Sequence, residues 1–491
     1  MIRAGKSHTG AARRVVALAT FAVALVAGGA VAPRIALGQG KESAGSAVAR
    51  GALERATLEK VIKRQVLPNG LEVIVLENHG VPLATIEIDV KNGAFTQAPG
   101  YEGLAHMYEH MFFKANADLP EPEAFVDRAG ELGAIYNGTT TEERVNYYLT
   151  IPADSLRGGI EFIASALRSP LFRQDELERE RQVVLGEYDR AESNPFLALT
   201  NETGKVLWGS AWSRKDALGE RAAILATTPD KLRAIQKKYY VPNNSALIVA
   251  GDVNPDSVFK AARDAFGDWP RSPDPFVADP IPPVPPLARS RGLVIEAPIN
   301  TVIVLEQWQG PSVGTDPQAT YAADVFSDVL TQPNSGFQKR LVDTGLFQEV
   351  GVNYYTLNQV GPISISGTTT PEKLKEALAA LDREIAQFDK PGYLTAAELE
   401  PVKRQRAVET AMGLERASGL AHTIGFWWSV ASLDYFMGYI DNMAKQTTAD
   451  LRSYASKYIV AKPRVVGVMI DPESRARIHL TEADLLAAGG K

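Results

Sequence analysis

Residues 230–257 read DKLRAIQKKYYVPNNSALIVAGDVNPDS, and residues 449–474 read ADLRSYASKYIVAKPRVVGVMIDPES. Each stretch begins as a helix with Asp and Leu-Arg, reaches Lys-Tyr, turns, and continues as an apolar strand ending at Asp and a Pro turn. The offset is constant, 219 residues both for Leu232 to Leu451 and for Tyr239 to Tyr458. One supersecondary unit occurring twice predicts a chain built from two related halves. Between them Pro270–Pro286, PRSPDPFVADPIPPVPP, can continue neither a helix nor an inner strand and reads as a linker. The predicted organisation is 39–269 for the first half, 270–289 for the Pro-rich linker and 290–491 for the second half.

Strands and helices mix within each half. Gln65–Pro68, Asn69-Gly70 and LEVIVLE (71–77) read as a hairpin turning at Asn-Gly. TIEIDV (85–90) alternates apolar and polar residues like a half-buried strand, and segments 103–114, 118–132, 154–169 and 175–190 read as helices. The fold class expected is α+β: two homologous halves, each an antiparallel sheet with helices packed on one face.

Composition narrows the chemistry. The chain has 491 residues, more than one ordinary core needs, and a net charge of −6 with no long basic run, which argues against nucleic acid as a partner. It contains no cysteine, so disulfides, a thiol nucleophile, cysteine-ligated zinc and iron–sulfur clusters are excluded, and a metal would be held by His, Asp or Glu. Residues 1–38 read as a signal peptide: Arg3, Lys6, Arg13 and Arg14 precede the apolar run Val15–Val31, and small residues follow near Ala36-Leu37-Gly38. A cleavable signal predicts a periplasmic or secreted protein without a membrane segment beyond residue 40; an uncleaved anchor is the alternative.

Residues 106–110 are His-Met-Tyr-Glu-His. On a helix, positions i, i+3 and i+4 share one face, so His106 and His110 can reach one metal ion while Glu109 faces the same space without being a ligand. Catalytic zinc usually takes three protein ligands. DELERERQVVLGEYDRAE (175–192) supplies carboxylates on a long helix, with Glu180 and Glu187 two turns apart. Glu187 follows an apolar turn and is the candidate third ligand; Glu180 is the candidate for orienting a histidine or assisting Glu109. The remaining histidines, His8, His79, His422 and His479, lack ligand spacing and read as surface or packed residues. Phe426, Trp427 and Trp428 in GFWWSV read as packed core or a subunit contact.

These segments resemble the pitrilysin/insulinase family of zinc peptidases with an inverted zincin motif. LPNGLEVIVLENHGVPLATIEIDVKNGAFTQAPGYEGLAHMYEHMFFK (67–114) is similar to the family's opening block, and Glu187 stands 77 residues after His110, at the family's distance for its third ligand, with Glu180 at the supporting acidic position. The resemblance implies Zn2+ as cofactor, catalytic roles for Glu109 and Glu180, and two halves enclosing a chamber. ELGAIYNGTTTEERVNYYLTIP (131–152) resembles the block whose edge strand pairs with substrate backbone, which implies substrate binding by Tyr136, Asn137, Gly138 and Thr139.

Aligning Gly93 with Gly310 sets Ala323, Phe326 and Ser327 against His106, Glu109 and His110, so no metal site is expected in the second half. The family's substrate-holding Arg and Tyr match Val342 and Gln348 of LVDTGLFQ (341–348), with Arg340, Tyr354 and Tyr355 off register. The chain therefore resembles the zinc-bearing subunit of the family's two-subunit branch, which implies a heterodimer with a homologous partner lacking the motif; a homodimer using Arg340 is the alternative. The activity implied is endopeptidase cleavage of extended, unfolded peptides. The competing readings are a non-catalytic structural or assembly subunit and a periplasmic peptide-binding protein.

Overall fold

A computed structural model describes residues 55–413 and 416–487, so the signal-peptide expectation lies outside the described residues. Six strands form the first sheet: β1 (Ile62–Val66), β2 (Glu72–Glu77), β3 (Leu83–Val90), β4 (Ile135–Thr140), β5 (Val145–Pro152) and β6 (Ser245–Gly251), in the order β1-β2-β6-β3-β5-β4. The second sheet holds β7 (Arg291–Glu296), β8 (Val302–Gln309), β9 (Glu349–Tyr354), β10 (Pro362–Thr369) and β11 (Val465–Ile470), in the order β7-β11-β8-β10-β9. Dropping β1, the two orders coincide. The starts of β2 and β7, and of β3 and β8, are each 219 residues apart, the offset read from the sequence. Each sheet is antiparallel except for one parallel pair, β2 with β6 and β7 with β11.

The duplicated sequence is duplicated down to its caps. Thr228 accepts from Lys231 N and starts one helix, and Thr447 accepts from Asp450 N and starts its counterpart. Asn254 and Asp471 cap the helices after β6 and β11, each before a proline. The Asn-Gly hairpin forms as expected, with Gly70 at φ 96 and its N–H donated to Leu67 O at 2.8 Å. One expected helix is shorter than read: of residues 118–132, only Ala124–Glu131 is helical, because Pro120 and Pro122 break the preceding turn.

One face of the first sheet carries α1 (Leu104–Phe112), α2 (Leu156–Arg168) and the helix Pro255–Phe266, over a core that includes Ile86, Ile88, Tyr147 and Val249. The other face is covered from the second half. Helix α5 (Ala417–Val430) lays Leu420, Ala421, Ile424 and Trp428 on Ile74, Leu76, Ala246 and Ile248, with Lys91 Nζ 4.6 Å from the Trp428 ring centre. The exchange is mutual. Helix α4 (Pro195–Trp208) of the first half sets Leu199 against Leu305 and Met469 of the second sheet. GFWWSV is therefore a packed contact between halves within one chain. Each apolar side chain so buried stabilises by about 1.5–3 kcal/mol. No helix among the described residues is long and apolar enough to cross a membrane.

Candidate metal centre

Helix α1 is buried on all sides, so its polar residues need partners. It starts at Gly103 in the left-handed region (φ 83), whose N–H is donated to Gln97 Oε1, while Gln97 Nε2 is donated to Asp216 O at 3.0 Å. Aromatic stacking fixes the other side: Tyr108 lies 3.9 Å from Tyr240 and Phe112 3.7 Å from Tyr147, ring centre to ring centre. His106, Glu109 and His110 then face α3 (Gln174–Glu192) and β4. Along α3 the buried Leu177, Val184, Glu187 and Ala191, with the half-buried Glu180, recur at three- and four-residue spacing and form the inward stripe.

Glu187 Oε2 lies 3.4 Å from His106 Nε2 and 3.6 Å from His110 Nε2, and the two imidazole nitrogens are 3.3 Å apart. A tetrahedral ion held at zinc–nitrogen and zinc–oxygen distances needs ligand atoms about 3.3 Å apart. The fit is therefore close. Glu187 Oε2 is buried between the two imidazoles, the setting expected of an oxygen aimed at a cation. Among the described residues these three form the candidate metal-holding group. In the second half, Ala323, Phe326 and Ser327 lie buried in the helix Pro317–Thr331, and no such group occurs there among the described residues.

The charges around the trio suit a cation. Burial pushes His106 down to about 3. Burial acts the same way on His110, but Glu180 and Glu187 outweigh it and raise that imidazole to about 9. Glu187 is held below the usual carboxylate range despite burial, by His110 and His106. Two carboxylates, Glu180 and Glu187, thus converge on His110, a setting that favours positive charge there. Burial lifts Glu109 to about 7, while His110 and a hydrogen bond from Thr140 Oγ1 to Glu109 Oε2 (2.6 Å) hold it down. A carboxylate near neutrality can take and return a proton.

The structure brings His106, His110, Glu187, Glu109 and Glu180 together. Glu180 meets His110 Nδ1 at 3.2 Å and Lys114 Nζ at 2.5 Å, so Lys114, which the motif did not single out, completes this arm. Strand β4 is one of the two outer strands of its sheet. Its residues divide by parity. Tyr136 packs inward on Phe113 and Phe125, and Gly138 lies against Glu109; Asn137 and Thr139 point to the opposite face. Thr140, one residue beyond the expected set, holds Glu109. A cavity of about 450 Å³ opens beside Glu180, lined by Phe113, Phe125, Val126 and Arg179. Arg340 is occupied: it forms two bonds to Glu384 (2.6 and 2.8 Å) beneath Tyr393. Tyr354 donates to Pro311 O, and Tyr355 is half-buried beside Glu142.

Comparison with known proteins agrees with this architecture. The insulinase (peptidase family M16) model matches residues 72–208, and the peptidase M16 inactive-domain model matches residues 226–406. The uncharacterized zinc protease YmxG of Bacillus subtilis (strain 168) is 24% identical over 357 residues, 72% of this chain and 85% of that protein. Zinc protease PqqE of Helicobacter pylori is 26% identical over 372 residues, 72% of this chain and 80% of that protein. Mitochondrial-processing peptidase subunit beta of Dictyostelium discoideum is 22% identical over 206 residues, 42% of this chain and 44% of that protein. The crystal structure of a protease from Helicobacter pylori superposes with a TM-score of 0.75 at 21% identity, covering 84% of this chain and 99% of that one. The periplasmic protease PqqL from Escherichia coli gives 0.71 at 16% identity, covering 88% and 50%. With an insulinase-type first half, an M16 inactive-domain match over the second and zinc proteases among its relatives, the chain belongs to the pitrilysin/insulinase family of peptidases, family M16.

Proposed function

We propose that the chain is a zinc-dependent endopeptidase that cleaves extended, unfolded peptides. The observation that carries this reading is the trio His106, His110 and Glu187 at 3.3–3.6 Å, with Glu109 buried alongside. A bound zinc ion would supply Lewis acidity at that point. Glu109 takes a proton from the attacking water and returns it to the leaving amine. Thr140 orients Glu109, and Glu180, held by Lys114, orients His110.

The free edge of β4 offers main-chain donors and acceptors to an added strand, which selects extended backbone over side-chain identity; Tyr136, Asn137, Gly138 and Thr139 form that edge. The cavity beside Glu180 has room for a substrate side chain. Because Arg340 is committed to Glu384, a homologous partner subunit is the better source of a substrate-holding Arg and Tyr than a homodimer. Relatives point the same way: one is named as a subunit of a processing peptidase. The proposed location is the periplasm or outside the cell, on the signal reading of residues 1–38.

The test is Glu109→Gln, assayed on an unstructured peptide with and without a candidate partner. The variant should bind zinc at the wild-type level and cleave nothing. Cleavage at the wild-type rate would remove Glu109 from the mechanism. A wild-type chain that holds no zinc would favour the assembly-subunit reading.

A further inference from the structure

The turn joining β4 to β5, Thr141–Arg144, sits four residues or fewer from Thr140, and two of its three long charged side chains, Glu143 and Arg144, fasten it to the second half. Glu143 is 2% exposed. Its carboxylate accepts two successive amides of the loop between β9 and β10, Asn358 N at 2.6 Å and Gln359 N at 2.8 Å. The same loop is gripped from the first half by Lys215 Nζ, donated to Val360 O at 2.6 Å. On the other side of the turn, Arg144 Nη1 is donated to the His422 carbonyl of α5 at 3.0 Å and lies 3.6 Å from Asp89 and 3.7 Å from Glu87. Two charge-assisted fastenings thus cross from one four-residue turn to two separate elements of the second half.

An outer strand is paired on one side only, and its position depends on its turn. On β4 the relevant contacts are close. Thr140 Oγ1 is 2.6 Å from Glu109, within the narrow range of a hydroxyl hydrogen bond, so a shift of about 0.5–1 Å breaks it. We infer that Glu143 and Arg144 are positioning residues through which the second half, where the described residues include no metal-holding group, holds Thr140 against Glu109. This rests on Glu109 being the base. The inactive half then acts on catalysis through the hairpin turn, besides any contact with substrate.

The experiment compares Glu143→Ala, Thr140→Val and the double variant in the full chain, with zinc content and steady-state kinetics on one peptide. Glu143→Gln and Arg144→Lys serve as milder variants if Glu143→Ala does not fold. Each single change should lower kcat about tenfold with little change in KM and full zinc, and the double variant should fall no further than the worse single one. Losses that multiply, or a Thr140→Val variant with wild-type kcat, would overturn the inference. So would Glu143 and Arg144 variants that change KM alone. If Glu109→Gln is active, the base assignment itself fails; if it is inactive while the losses multiply, only the positioning role fails.

Discussion

Replacing Gly138 with alanine tests the geometry around the proposed base through a single methyl group. A Cβ built at this position would stand 2.8 Å from Glu109 Cγ, 3.0 Å from Glu109 Oε1 and 3.2 Å from Asn146 O. Carbon atoms rest at about 3.5 Å, so roughly 0.7 Å must be found. The backbone at 138 is ordinary strand, and alanine brings no strain of its own. Glu109 has little room to retreat, since Thr140 holds one oxygen and α1 is buried along its whole length. The methyl points at α1 and away from the strand's free edge. Misplacing a reacting group by about 1 Å costs around a hundredfold, so kcat should fall about 10- to 100-fold while KM changes little. Steady-state cleavage of a fluorogenic unstructured peptide reads this, with zinc per chain measured by elemental analysis. Wild-type kcat at full zinc occupancy would refute the reasoning, because the base would then tolerate the displacement or not be the base.

Three further outcomes follow from the same structure. Glu187→Ala should abolish stoichiometric zinc, whereas Glu180→Gln, which removes only the partner of His110 Nδ1, should weaken zinc about 10- to 100-fold in a chelator competition. Trp428→Ala should cost about 3–5 kcal/mol in denaturant unfolding, because this second-half residue, 7% exposed, seals the first sheet; an unchanged midpoint would contradict the helix exchange. Burial pushes Glu306 up to about 7, with Arg464 pulling the other way. A folded pKa above the unfolded 4.5 means that its contribution is complete below pH 4.5 and is lost as pH rises through 7. Glu306→Gln should therefore flatten the decline in stability across that window by about 3 kcal/mol at most, measured by urea unfolding at each pH.

What the sequence disclosed, and what it withheld, divides along the distance over which a signal acts. His106, Glu109 and His110 could be read because their geometry is set by one turn of helix. Glu187 could be read because burial on α3 follows its three- and four-residue rhythm, and the duplication because caps such as Thr228 and Thr447 repeat with their strands. Thr140 was not singled out, because strand parity reverses with a single residue and nothing local marks which threonine of three faces α1. The apolar character of α5 predicts burial but not what buries it; the answer is strands some 170 to 350 residues earlier. Glu143 looks like a solvated turn charge until Asn358 and Gln359 arrive from the other half. Each residue of this last kind belongs to a contact between halves, and one such contact lies next to the hairpin that carries Thr140. Each sheet buries one face against the other half, so the residues on those surfaces are matched to partners far away in the sequence, and local pattern carries least information there.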